Sequence, residues 1–287
     1  LEYTVRHNPV LAEWIAANVP FPSTMVDRIT PASTADTLAD AARLTGHHDR
    51  AAVEAEAFTQ WVIEDRFAHG RPAWDSAGAL FVADVTPFER MKLRMLNGTH
   101  SLLAWLGFLA GHDFVRDAIV DPAIFSAARR HLTVAAGTLG PVPGVDLARY
   151  AQDLLERFAN RAIAHRTAQI AMDGTQKLPP RIFEAALTAS ERGQSLEPFA
   201  RATAAWMAYA LGRGMDGQPH ALRDPRETEI AQALTTTDKS APAIVQALMN
   251  LPGFVPEKLR GDPEWSRLIT DVLARFLSAD PRSAIAP

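Results

Sequence analysis

The segment TPFERMKLRMLNGTH, residues 86–100, opens an apolar run that continues to Leu109. Thr86-Pro87-Phe88-Glu89 is a capping box, with Thr86 as N-cap, Pro87 at the first helical position and Glu89 three residues on. Met91, Leu93, Met95, Leu96, Leu102, Leu103, Trp105, Leu106 and Leu109 then make the segment apolar on nearly every side, the pattern of a buried helix. Inside it stand Lys92, Asn97 and His100. On an ideal helix Asn97 lies roughly 140° and His100 roughly 80° around from Lys92, so the three can share one face. Buried polar groups need partners, and either a structural network or a bound substrate supplies them.

Burial disfavours the charged form of a lysine, and lowering its pKa from about 10.4 to about 7 to 8 suits it to act as a general base. Such a lysine can take the proton from a substrate hydroxyl as hydride leaves the carbinol carbon. An asparagine amide can donate to the developing alkoxide, and a neutral histidine can hold a neighbouring hydroxyl. On a straight helix Lys92 and His100 are about 12 Å apart along the axis, too far to grip one atom easily. Either the helix distorts at Asn97-Gly98, or the two contact different parts of an extended polyhydroxy chain. Glu89, about 60° from Lys92, can serve as a proton relay, although the capping box also accounts for it.

Outward from this helix the chain changes character. Before it, Leu1 to Val19 reads as a helix interrupted at Asn8-Pro9, Phe21 to Pro31 as extended structure, and Thr34 to Thr45 as a short helix. The runs Phe58–Ile63 and Ala79–Val85 are β-type and belong to a small sheet. After it, Asp121-Pro122, Asp224-Pro225 and Asp262-Pro263 each open a helix. Asp146 to Met172 reads as one long helix or two broken near Asn160. Thr175-Gln176-Lys177 reads as a tight connection and Ser278–Pro287 as a loose tail.

With 287 residues and 47% apolar content, the chain can build one large domain or two modest ones. A net charge of -4 without a long basic run leaves no electrostatic footprint for nucleic acid or an anionic membrane. The absence of cysteine excludes disulfides, thiolate nucleophiles and Cys-type metal sites and fits the cytoplasm. No apolar run approaches the roughly 18 residues of a membrane span. His47, His48 and His69 fall in turns without the spacing of a metal site.

Five motifs in order, FPSTMVDRITP (21–31), QWVIED (60–65), GRPAW (70–74), FERMKLRMLNGTHS (88–101) and HRTAQIAMDGTQKLP (165–179), resemble the polyol-specific long-chain dehydrogenases, the mannitol dehydrogenase family. The last is most similar to the D-mannonate oxidoreductase (fructuronate reductase) branch. The resemblance implies a metal-independent enzyme that uses NAD, or NADP, with a Rossmann domain followed by a helical substrate domain. It implies Lys92 as catalytic base, Asn97 as oxyanion donor, His100 as substrate-orienting group and Lys177 in the substrate pocket. It also implies that the segment Asp27 to Pro31 borders the nicotinamide end of the site, with Asp27 and Arg28 among the substrate-binding residues. Gln169 stands where mannitol-type members carry arginine, which turns the expectation from a plain polyol to a sugar acid. A carboxylate needs a cation, and Lys177 and Arg166 are the candidates.

No G-x-G-x-x-G follows a strand, so the expected fold is mainly α: a helical substrate domain preceded by a small α/β portion, with the Rossmann domain absent from this chain. Residues 1–86 are read as a remnant or extension of the nucleotide-binding domain and 87–287 as the substrate domain. The missing Rossmann half is thus an expected partner, no cofactor-binding residues are assigned, and the chain alone is expected to be inactive. The expected function is D-mannonate/D-fructuronate interconversion. The alternatives are mannitol or another polyol 2-dehydrogenase, and a non-catalytic helical module that binds a sugar acid or a protein.

Overall fold

The computed structural model describes residues 2–235, 237–278 and 280–285. The first elements are helices α1 (Glu2–His7) and α2 (Pro9–Asn18), strand β1 (Thr24–Asp27), helix α3 (Ala35–Thr45), and strands β2 (Gln60–Glu64) and β3 (Ala79–Val82). Asn8 separates the first two helices as expected, its side chain accepting from Leu11 N–H at 3.0 Å with Pro9 in the first turn. The strands form one sheet in the order β1-β2-β3. β2 runs antiparallel to β1, with Met25 opposite Val62, and parallel to β3, with Val62 opposite Leu80.

The helices follow: α4 (Thr86–Met91), α5 (Gly98–Leu109), α6 (Val115–Ala118), α7 (Pro122–Gly137), α8 (Leu147–Phe158), α9 (Thr167–Ala171), α10 (Gly174–Leu178), α11 (Glu184–Glu191), α12 (Glu197–Ala210), α13 (Glu227–Thr235), α14 (Ala241–Met249), α15 (Glu257–Arg260) and α16 (Pro263–Phe276). Two π-helices interrupt the series, Lys92–Asn97 between α4 and α5, and Pro179–Phe183 between α10 and α11. Among the described residues no helix is long and apolar enough to cross a membrane.

The chain divides into two compact units, Leu1–Ile29 with Glu56–Glu89, and Thr30–Ala55 with Arg90–Pro287. The first holds the sheet. Glu56 is buried there and its carboxylate accepts the Ile29 N–H at 2.6 Å, while its carbonyl accepts from Arg28 Nε at 2.9 Å. The second is helical and is built around α5 and α12, which pack on each other. Every residue of α5 except Phe108 is buried, and α12 is buried from Pro198 to Ala210. α16 packs along α12, and α9 along α5, where the Trp105 indole donates to the Ala171 carbonyl at 3.1 Å.

Asp121 and Asp262 cap their helices as the Asp-Pro pairs predict, each carboxylate accepting two first-turn N–H groups. The segment 146–172 is two helices, α8 and α9. Thr175-Gln176-Lys177, expected as a connection, is helical instead. Asp224 explains this: its carboxylate accepts both the Thr175 N–H, at 2.9 Å, and the Thr175 hydroxyl, and so anchors α10 from outside its own sequence. Gly174 begins that helix where any Cβ would collide with the Trp206 indole. The expected loose tail is also corrected. Pro281–Ala284 is a 3-10 helix, Ala284 and Ile285 are buried, and the buried Arg201 guanidinium donates to the Ala284 carbonyl at 2.6 Å. Ala279, Ala286 and Pro287 of that segment lie outside the described residues.

Candidate active site

The helix carrying Lys92, Asn97 and His100 is not the ideal α-helix of the sequence reading. From Lys92 to Asn97 it is π-helical, and the wide turn closes where Gly98 N–H donates back to the Leu93 carbonyl, five residues earlier. In a turn closed by i→i+5 bonds, residues five apart lie much nearer one face than the roughly 140° of an α-helix. Lys92 and Asn97, the first and last residues of the π-helix, are five apart. The helix does distort, but from Lys92 onward rather than at Asn97-Gly98. His100 follows one α-helical turn after Asn97.

Three contacts hold the wide turn. The buried Arg94 guanidinium donates to the Thr138 carbonyl at 3.0 Å and hydroxyl at 3.2 Å, at the C-terminal end of α7, where a cation complements the helix dipole. The Arg94 carbonyl lies 3.3 Å from His131 Nε2. Gly98 lets the second π-helix and His131 approach: a Cβ there would stand 2.8 Å from His131 Nε2 and 3.1 Å from the Arg181 carbonyl. The second π-helix has its own cause. Pro179 and Pro180 bring no N–H and crowd the preceding turn, and the Pro179 carbonyl accepts from Glu184, five residues on.

His100 is buried, its ring 5.3 Å from Phe158 and 4.8 Å, edge to face, from His165. Burial first, then His165, Arg181, Lys177 and Arg157, holds its pKa well below the ordinary histidine value. It is neutral at pH 7, with one donor and one acceptor nitrogen. Burial and Lys177 likewise hold His165 down to about 4. Asn97 is half-buried, and its amide makes no hydrogen bond among the described residues, so both its donor and acceptor are available to a ligand.

Lys177 sits in α10 with its ammonium donating to the Ile170 carbonyl at 3.0 Å and the Met172 carbonyl at 2.6 Å, and 3.8 Å from an Asp173 carboxylate oxygen. Burial, then Arg181, lowers its pKa, opposed by Asp173 and Asp224. One turn on, Arg181 donates to the Ser101 hydroxyl at 3.0 Å, and burial, opposed by Asp173, presses its pKa to about 10. Sequence reasoning missed Arg181 and gave His165 no role. The signal for Arg181 was its i, i+4 spacing from Lys177.

The other predicted residues lie elsewhere. Arg166 is exposed, its guanidinium 5.0 Å from the Phe114 ring, and it lines an open cavity of about 330 Å³ with Gln169, Tyr209, His220 and Arg223. Asp27, Arg28 and Glu89 belong to the first unit. There Asp27 is fully buried at the end of β1, and Arg28 and Glu89 are exposed. Among the described residues no group of three or more His, Cys, Asp or Glu could hold a metal ion.

Comparisons with known proteins bear on both units. The family model of the mannitol dehydrogenase C-terminal domain matches residues 84–254, and that of the mannitol dehydrogenase Rossmann domain matches residues 3–76. The D-mannonate oxidoreductase of Escherichia coli is 42% identical over 280 residues, covering 97% of this chain and 57% of that protein. Among solved structures, Pseudomonas fluorescens mannitol 2-dehydrogenase, in a ternary complex with NAD and D-mannitol, superposes with a TM-score of 0.89 at 33% identity. It covers 99% of this chain, which matches 57% of that one. D-sorbitol dehydrogenase in substrate-free form follows with a TM-score of 0.85 at 31% identity, covering 99% of this chain and 58% of that chain. The chain thus spans a little over half the length of the relatives it matches.

The expectation that the Rossmann domain is absent from this chain is overturned, because the Rossmann model matches residues 3–76. The expected dependence on a missing Rossmann partner, and the expected inactivity that followed from it, fall with it. The physical reason is plain. A glycine-rich motif marks one phosphate-binding turn of such a domain, and other strands, like β1, β2 and β3 here, carry no glycine signature by which a motif search could find them.

Proposed function

The chain belongs to the mannitol dehydrogenase family, and on that premise we propose that it serves a nicotinamide-dependent oxidation of a secondary alcohol on a sugar acid, interconverting D-mannonate and D-fructuronate. The substrate class is supported by the 42% identity to a D-mannonate oxidoreductase and by the cationic surroundings of His100. The cofactor is supported by the NAD in the complex of the mannitol 2-dehydrogenase neighbour.

The observation that carries the assignment is the π-helical turn that begins at Lys92 and ends at Asn97. The Lys92 amine takes the proton of the reacting hydroxyl. The Asn97 amide N–H donates to the oxygen on which negative charge develops, an interaction that strengthens toward the transition state. Neutral His100 holds an adjacent hydroxyl and keeps the carbinol carbon in register. Lys177, its donors already engaged with two carbonyls, supplies positive potential. Glu89 is exposed on the helix before Lys92 and can pass its proton to solvent.

A nicotinamide cofactor, when bound, would supply the hydride acceptor. In the first unit the exposed Arg28 cation stands at the end of β1, a charge suited to the polar end of such a cofactor, while Asp27 beside it is buried. In this proposal residues 1–86 serve the cofactor and 87–287 the substrate.

The test is Lys92→Ala, assayed for NAD reduction with D-mannonate and with D-mannitol. Loss of the base lowers kcat by about 10²- to 10⁴-fold at neutral pH. Turnover within a few fold of the parent protein overturns the role of Lys92, and a parent protein that prefers D-mannitol overturns the substrate class.

A further inference from the structure

His100 is surrounded by cationic or potentially cationic groups, and the acids are few. Its ring meets His165 at 4.8 Å, and the next residue, Ser101, accepts a hydrogen bond from Arg181 at 3.0 Å. Lys177 lies one turn before Arg181. Asp173 stands 3.8 Å from Lys177, and among the described residues no carboxylate lies within ion-pair distance of Arg181. A half-buried cation with no carboxylate beside it keeps part of its desolvation cost, which an anion bound there offsets.

The donors decide which group that anion meets. An ammonium has three, and Lys177 gives two to carbonyls and turns toward Asp173. A guanidinium has five, and Arg181 gives one to Ser101. Its planar fork suits a carboxylate, which it can grip through two parallel hydrogen bonds. His165 is half-buried and neutral at pH 7, and its Nδ1 is buried without a hydrogen-bond partner among the described residues. Arg166 is exposed and held against Phe114.

We infer that Arg181, assisted by His165, binds the carboxylate of the substrate and is the residue that selects sugar acids over neutral polyols. This rests on the dehydrogenase function proposed above. The reacting carbon lies at Lys92 and Asn97, His100 holds the carbons between, and Arg181 takes the charged end.

D-mannonate and D-mannitol share one carbon skeleton and differ at one end, carboxylate against CH2OH. Steady-state kinetics on both, with Arg181→Gln and Arg181→Lys, isolates that end. Charge-assisted hydrogen bonds of this kind correspond to about 10- to 100-fold in affinity. Arg181→Gln raises KM for D-mannonate and lowers the ratio of kcat/KM for D-mannonate to that for D-mannitol by that factor. Arg181→Lys, which keeps the charge and guards against a misfolded glutamine variant, recovers part of the loss on D-mannonate alone. Equal losses on both substrates, no loss on either, or the same selective loss in Arg166→Gln but not in Arg181→Gln overturns the inference.

A binding arm separates this inference from the dehydrogenase assignment. In a thermal-shift titration, D-mannonate raises the Tm of the parent protein more than D-mannitol does, and Arg181→Gln abolishes that difference. Inactivity of the parent protein on D-mannonate sinks the function. Absence of the carboxylate-dependent shift, or its survival in Arg181→Gln, sinks the role of Arg181.

Discussion

Asp173 and Arg223, the two described non-glycine residues with positive φ, at 57° and 46°, are joined by a backbone hydrogen bond, Asp173 N–H to the Arg223 carbonyl at 3.1 Å. Two residues strained in the same sense thus brace one another directly before α10 and directly before Asp224, the carboxylate that anchors α10. The left-handed region is uncommon for bulky side chains, and aspartate is among the residues that tolerate it.

Asp173→Val therefore lowers stability by about 1 to 2 kcal/mol, because a β-branched residue resists this conformation. Asp173→Asn costs less, since asparagine enters the region readily. Urea midpoints of the two variants check this, and equal losses would show that the carboxylate, not the backbone, sets the cost.

Gly98→Ala is destabilising despite the helix preference for alanine of about 1 kcal/mol. Overpacking costs about 1 to 3 kcal/mol. The Arg181 carbonyl, 3.1 Å from the new Cβ, belongs to the backbone of the second π-helix and cannot swing aside. A variant as stable as its parent in denaturant titration refutes the close approach.

His100, His131 and His165 are all held below the ordinary histidine pKa, the last two to about 4, with burial the first cause in each. An unfolded chain binds protons at these positions below pH about 6.5, where the folded chain does not. Unfolding then takes up protons, so the stability present above pH 6.5 falls as the pH drops toward 4. Histidine Cε1–H resonances followed by NMR from pH 7.5 to 5.5 should include three that do not move. Titration of any of these three near 6.5 contradicts the assigned burial.

A chain ended at Ser278 loses the buried Ala284 and Ile285 and the carbonyl that Arg201 reaches. Burial of an isoleucine alone contributes about 1.5 to 3 kcal/mol, so the truncated protein unfolds at a clearly lower temperature. An unchanged calorimetric transition argues that the tail does not dock.

Much of this was legible in local sequence. Asp-Pro pairs mark helix starts through short-range hydrogen bonds, and the carboxylates of Asp121 and Asp262 cap as written. The run after Lys92 announced a buried helix because apolar side chains stand on nearly every side of it. What escaped depends on residues far away in sequence. Thr175 to Lys177 is helical because of Asp224, and Ala284 and Ile285 are tucked in because Arg201 waits for their carbonyls. The π-helical turn escaped because ideal helical angles assume one residue spacing throughout. Arg181 stands one turn from Lys177, but the Ser101 hydroxyl it meets belongs to α5, and no spacing within one segment reports that.

The wide turn at Lys92–Asn97 amounts to one surplus residue lodged in an otherwise regular helix. Each residue advances an α-helix by about 100°, so the turn sets a phase offset between everything before Lys92 and everything after Asn97. Removing a single residue between them, whichever it is, leaves the composition of the helix almost untouched. It nonetheless lets the helix relax to regular winding and turns either Lys92 or the Asn97–His100 pair to another side. For this helix, length is as much a determinant of chemistry as sequence.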